Sequence, residues 1–181
     1  MITGENGFLY NQLNLEDSDF IFLLGSPTFD GEITLEQSKK LHEYVQSTIK
    51  IINENTTKYI IFASSTGVND VDFNHKGSMP YTLAKLFLEN YIITYCDNYC
   101  ILRIGTIITK DKSKIKMMKK SRIQNRILRK EYSNIPLFDY YLDLDEFIKI
   151  TKEIINERKT GIIEYKLTKY SLSDLIRITN E

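Results

Sequence analysis

The stretch Tyr59-Ile-Ile-Phe-Ala-Ser-Ser-Thr-Gly-Val68, followed after a polar segment by Pro80-Tyr-Thr-Leu-Ala-Lys85, constrains this chain more than any other. Its first part runs large apolar and aromatic residues together and ends in small hydroxyl residues, the pattern of a buried strand. The second part opens a helix on which Tyr81 and Lys85 lie one turn apart on the same face. A phenol, with a usual pKa of about 10, is a poor acid or base at neutrality, but an adjacent ammonium favours the phenolate. Ser65, at the carboxyl end of the strand, can offer its hydroxyl to the same substrate oxygen. Together Ser65, Tyr81 and Lys85 make a proton-transfer site for a carbonyl or alcohol carbon.

The surrounding pattern alternates strands and helices. Met1-Ile-Thr-Gly-Glu-Asn-Gly7 reads as the end of a very short strand running into a glycine turn and a helix. In a dinucleotide fold such glycines bring the backbone close to a pyrophosphate at the helix start. Gly4 and Gly7 fit that role, while Tyr10 stands where a third glycine would allow close helix packing. Asp19 to Leu24 is a second strand, closed by Gly25-Ser-Pro27. It arrives too soon after Gly7 for a complete strand-helix-strand unit, whose crossover alone takes a dozen residues or more. The acidic residue expected about 20 positions after the glycines, to hold a ribose, is missing.

Thr34-Leu-Glu-Gln37 has the form of a capping box, and Leu41, Tyr44, Val45, Ile49 and Ile52 recur at helical spacing, which predicts a helix from about Leu35 to Glu54. From Tyr81 to about Asp97, Leu83, Ala84, Phe87, Leu88, Tyr91 and Ile92 form a stripe expected to be the buried face of the next helix. Tyr99 to Ile104 is the next strand, ended by Gly105. The alternation argues an α/β fold with a parallel sheet and helices on both faces. Further on, Leu137 to Asp143 reads as a short extended piece, with Asp143 or Asp145 capping a helix that ends near Arg158. Gly161 to Lys166 alternates as a half-buried strand, and Ser171-Leu-Ser-Asp174 caps a last helix.

The chain, at 181 residues with 42% hydrophobic and 27% charged residues, has the composition of one soluble globular domain rather than a disordered segment. No run approaches the ~20 apolar residues of a membrane span and no signal-peptide pattern opens it, so a cytoplasmic protein is expected. Cys96 and Cys100 have no ligand cluster around them and read as two reduced thiols, with no metal site. His75 reads as a surface residue. Net charge is zero, yet Lys110 to Lys130 holds seven Lys, three Arg and one Asp. That segment is predicted helical from Ser113 to Lys130. Its cations form either a solvated face or a site for a nucleotide diphosphate, and its lack of stacking aromatics argues against nucleic acid.

In its motifs and their order the chain resembles an extended short-chain dehydrogenase/reductase of the NAD-dependent epimerase/dehydratase type. The residues that carry the resemblance are Ile2-Thr-Gly-Glu-Asn-Gly-Phe-Leu9, Ser64-Ser65, Tyr81-x-x-x-Lys85, Ile101-Leu-Arg-Ile-Gly105, Tyr141-Leu-Asp-Leu-Asp-Glu-Phe147 and Gly161-Ile-Ile-Glu-Tyr165. The resemblance implies a single Rossmann-like domain over residues 1–181, with 106–181 forming a small substrate-side portion. Tyr81 is then the general acid/base, Lys85 lowers its pKa and holds the nicotinamide ribose, and Ser65 positions the substrate oxygen beside Thr66. Gly4, Gly7, Phe8, Leu9, Gly25, Ser26, Ser64 and Lys85 are the implied contacts to NAD or NADP, and a nucleotide-linked sugar is the implied substrate. Compared with the family, about two strands and their helices are missing from the first half, and with them the adenosine contacts. The family's Asn on the helix before the Ser-Ser strand falls near Leu41 or His42. The open edge of the Met1 strand makes homodimer formation a reasonable expectation. The competing expectation is a non-catalytic protein on the same reduced scaffold, binding a nucleotide or a protein partner.

Overall fold

The computed structural model describes residues 1–3, 8–13, 19–25, 27, 34–69, 79–118, 123–133, 135 and 137–180. Gly4, Gly7, Ser26 and His75 lie outside the described residues. The chain falls into two compact units, one of residues 1–104 with 154–164, the other of residues 105–153 with 165–181.

The first unit is built on a five-stranded sheet in the order β1 (Ile2–Thr3), β2 (Phe20–Leu23), β3 (Tyr59–Ser65), β4 (Tyr99–Ile104) and β7 (Gly161–Glu164), with every neighbouring pair parallel. All four residues of β2 and the first six of β3 are buried, so both faces of these strands are closed to solvent. This explains their unbroken apolar runs, which a sheet with one wet face would interrupt. Helices α1 (Phe8–Leu13), α2 (Leu35–Asn53) and α3 (Met79–Tyr95) alternate with the strands. A single core joins Ile21, Ile60, Phe62 and Ile101 from the sheet to Ile52 of α2 and to Leu88 and Ile92 of α3. The expected capping box is present: Gln37 N–H donates to Thr34 Oγ1 at 3.3 Å and Thr34 N–H to Gln37 Oε1 at 2.8 Å.

The buried face of α3 differs from the expected stripe. Thr82, Lys85, Leu88, Glu89 and Ile92 point inward, whereas Leu83 is 39% and Phe87 50% exposed. The helix is turned so that its two charged residues meet polar partners on β3 and β4, and the apolar side chains at 83 and 87 are left outside. Phe87, Tyr91 and Tyr95 follow one another along this outer surface, with ring centroids 6.2 and 4.5 Å apart.

The second unit carries a three-stranded sheet, β5 (Thr106–Ile108), β6 (Phe138–Asp143) and β8 (Thr168–Ser171), parallel between β5 and β6 and antiparallel between β6 and β8. Strands β5 and β8, at three and four residues, are too short for a periodic signal and had no counterpart in the sequence reading. The single helix expected over 113–130 is instead two short ones, α4 (Lys112–Met117) and α5 (Ile123–Leu128). Met118 leaves the helical conformation at φ −70 and ψ 158, and Asn125 Nδ2 donates to the carbonyls of Ile115 and Met118, capping the end of α4 from the side. Helices α6 (Leu144–Glu157) and α7 (Leu172–Asn180) complete the chain. Among the described residues no helix is long and apolar enough to cross a membrane.

Gly161 opens β7 at φ +94, and an added Cβ would meet nothing within 4 Å. The cost of Gly161→Ala is therefore one of backbone conformation alone. It should lower stability by about 1–2 kcal/mol in a urea denaturation curve, with no loss of packing.

Candidate active site at the carboxyl end of β3

Strand β3 delivers Ser64 and Ser65 to its carboxyl end, where the chain turns through one turn of 3-10 helix over Thr66–Val68. Ser65 Oγ accepts from Gly67 N–H at 3.2 Å, which fixes the turn. A Cβ on Gly67 would stand 3.4 Å from Ser65 Oγ and 3.7 Å from Thr82 Oγ1, so the start of α3 abuts this turn. Ser65, Thr66 and Tyr81 are all half-buried. Thr3 Oγ1 accepts from Gly25 N–H at 3.3 Å, placing Gly25 at the same sheet edge beside β1. Phe8, Leu9 and Tyr10 are half-buried on α1.

Lys85 is 1% exposed. Its ammonium donates to Ala63 O at 2.6 Å and to Tyr44 Oη at 3.0 Å. It lies 4.6 Å from the ring centre of Phe62, 5.3 Å from that of Tyr44 and 5.7 Å from that of Tyr81. Burial pushes its pKa down to about 7, against the opposing charge of Glu89 one turn on. The Tyr81–Lys85 spacing thus does bring the pair together, in a setting where the amine takes or gives a proton near neutral pH. Two of its three N–H groups are engaged inward, with Ala63 O and Tyr44 Oη.

Ser64 does not face the open edge. Its hydroxyl donates to Glu89 Oε1 at 2.5 Å. Glu89, 1% exposed, is also gripped by Arg103 of β4, through Nε to Oε1 at 3.2 Å and Nη2 to Oε2 at 2.7 Å. Arg103 Nη1 reaches onward to Asn69 Oδ1 at 2.6 Å and Glu164 Oε1 at 3.0 Å. One guanidinium therefore ties α3, the end of the turn after Ser65, and β7. A planar fork with five donors suits this task and a lysine would not.

Sequence reasoning missed Tyr44, Glu89 and Arg103. Tyr44 had been counted as a core position of α2, and the same helix sends neither Leu41, which is buried in the core, nor His42, which is exposed, to Lys85. Glu89 stands four residues beyond Lys85, a spacing that could have flagged a charged pair on one helix face. Asp19 is exposed at the amino end of β2, away from Ser65. A depression of about 400 Å³ lined by Asp19, Lys58, Tyr59, Asn98, Arg158 and Thr160 lies at that same amino end and takes no part in the site. Among the described residues no group of His, Cys, Asp or Glu side chains is placed to hold a metal ion.

The sequence matches no established family profile and no curated protein. Solved structures do match. A dTDP-4-dehydrorhamnose reductase from Bacillus anthracis in complex with NADP superposes with a TM-score of 0.71 at 13% identity, over 98% of this chain and 78% of that one. A hypothetical dTDP-4-dehydrorhamnose reductase from Sulfolobus tokodaii gives 0.66 at 16% identity, over 98% and 80%. A UDP-glucuronic acid 4-epimerase from Bacillus cereus in complex with NAD gives 0.62 at 16%, over 90% of this chain but only 61% of that one. The fold is thus the Rossmann-like one of these reductases and epimerases, in a shorter chain, as the sequence resemblance led one to expect.

Two outcomes follow for the buried charges. Unfolded, Lys85 keeps its proton to about pH 10.4; folded, it releases it near 7. Between these values the unfolded state binds more protons at this group, so stability should rise with pH from about 7 to about 8, above which the buried thiols of Cys96 and Cys100, held protonated in the fold, pull it the other way. Denaturation midpoints of the wild type should show that rise and those of Lys85→Met should not. Glu89→Gln leaves the Arg103 guanidinium without its main counter-charge and should cost about 3 kcal/mol, read from the same curves at pH 7.

Proposed function

We propose that this chain is an NAD(P)-dependent epimerase, dehydratase or reductase acting on a nucleotide-linked sugar. Tyr81 serves as general acid/base at the reacting carbonyl or alcohol, Lys85 as the charge beside it, and Ser65, with Thr66, as the group that orients the substrate oxygen. The observation that supports this reading is the convergence of the Tyr81 ring and the Lys85 ammonium, 5.7 Å apart, beside the carboxyl end of β3. That is the edge where open α/β sheets bind ligands. The protein names attached to the matching folds point to the same substrate class.

The residues suit the nicotinamide end of a dinucleotide better than its adenosine end. Lys85, beside Tyr81, is the residue that would meet the nicotinamide ribose. Beyond β1, by contrast, no further strand is present among the described residues to wall an adenosine pocket. A bound nicotinamide would supply the hydride acceptor or donor; the chain's own groups hold the sugar oxygen and move its proton.

A second reading, a binding protein without turnover, is favoured by the inward hydrogen bonds of Lys85 to Ala63 and Tyr44. Calorimetry with NAD, NADH, NADP and NADPH separates the two. The enzymatic reading expects at least one of them to bind, and no binding at millimolar concentration would sink it. With a dTDP-linked 4-keto sugar and the cofactor that binds, Tyr81→Phe should lower turnover by about 100-fold or more at unchanged cofactor affinity. Under the binding reading the wild type shows no turnover and Tyr81→Phe leaves nucleotide affinity as it was.

A further inference from the structure

Among the described residues the ammonium of Lys85 donates to one side chain, the phenol of Tyr44. Also around it among the described residues are the backbone carbonyl of Ala63, the rings of Phe62, Tyr44 and Tyr81, and the charge of Glu89 one turn on. Removing the oxygen of Tyr44 would take from a buried cation one of its two acceptors among the described residues, and an unmet N–H there is costly. Tyr44 is set in place by α2. Its ring packs on the core shared by the sheet, α2 and α3, and Thr48, buried one turn further along α2, opposes the rise that burial imposes on the pKa of the same phenol.

We propose that Tyr44 is a positioning residue of the Tyr81–Lys85 pair: its hydroxyl holds the Lys85 ammonium beneath Tyr81 and, with Thr48, sets how readily that amine keeps its proton. The inference rests on reading Tyr81 and Lys85 as the proton-transfer pair. Burial pushes the Tyr44 phenol far above the usual range, so it stays a neutral hydroxyl across the whole range in which Lys85 titrates. It accepts from Lys85 and is left with its own O–H to donate. The groups that face Lys85 are Tyr44 from α2, the Ala63 carbonyl from β3, and Tyr81 and Glu89 from its own helix, with Glu89 in turn bound by Arg103 of β4. Of the two phenols Tyr44 is the one that accepts from the ammonium, and its oxygen can be removed while its ring, and hence its packing, is kept.

The test is a titration of the full chain carrying lysine labelled with carbon-13 at Cε, from pH 5 to 11, with the Lys85 signal assigned by its loss in Lys85→Arg. In the wild type the midpoint should lie far below that of an ordinary lysine. In Tyr44→Phe it should fall further by about one unit, a tenfold weaker hold on the proton. An unchanged midpoint in a folded Tyr44→Phe protein would mean that Tyr44 only packs, and would overturn the proposal. An ordinary lysine midpoint in the wild type would overturn it as well. Should Tyr44→Phe not fold, wild-type protein labelled at tyrosine Cζ gives the answer directly: the Tyr44 signal should move with the Lys85 midpoint, and a Tyr44 signal that stays flat through that transition would refute the coupling. None of these readings needs a substrate or a cofactor. A chain that binds no dinucleotide yet shows the coupled titration keeps this inference and loses the function proposed above; one that binds and turns over without the coupling does the reverse.

Discussion

An ammonium taken out of water must be given acceptors and a counter-charge, and the burial of Lys85 organises this fold around that demand. The acceptors are the carbonyl of Ala63 and the phenol of Tyr44. The counter-charge, Glu89, is itself too buried to stand alone and draws in Ser64 and the two-pronged grip of Arg103. Arg103 then reaches Asn69 and Glu164. Each member offsets the desolvation cost of the one before, and the sequence ends at groups near the surface, where water supplies the remainder. The result joins β3, β4, α2, α3 and β7 at the end of the sheet where Ser65 and Tyr81 stand. Rigidity at the site is a consequence of burying charge beneath it.

Much of this was legible in the residues, because elements with long periodic signals announce themselves. The box at Thr34 and Gln37, the runs of β2, β3 and β4 and the spacing of Tyr81 and Lys85 each carry their own local cause. What stayed hidden depends on partners far away in the chain. The rotation of α3 follows from where Ser64 and Arg103 sit, so the hydrophobic pattern alone picked a stripe that included Leu83 and Phe87, both now outside. The break between α4 and α5 comes from one Asn side chain finding two carbonyls. Tyr44 looked like any aromatic core residue until α3 supplied the amine it meets.

The order of the main sheet bears on the site as well. In a dinucleotide fold the strand order reverses beside the first strand, and the crevice made there receives the ligand. Here the described strands follow one another, β1-β2-β3-β4-β7, without reversal. The carboxyl edge of β3 keeps its hydroxyls and its Tyr–Lys pair, while β1, two residues long, forms the margin. The hydroxyls and the Tyr–Lys pair thus sit on β3 and α3, independent of any strand beyond β1.

That same order also governs how the chain can assemble. From β1 to β4 each strand joins the one that preceded it in sequence, each through a helical crossover. Strand β7 is the exception: Gly161 must find Cys100 across the length of chain that contains most of the second unit. Its arrival brings Glu164, the outermost carboxylate on Arg103. The Arg103 guanidinium thus meets Glu89 and Asn69 through neighbouring elements of the sheet, and its third partner through the longest loop closure in the unit.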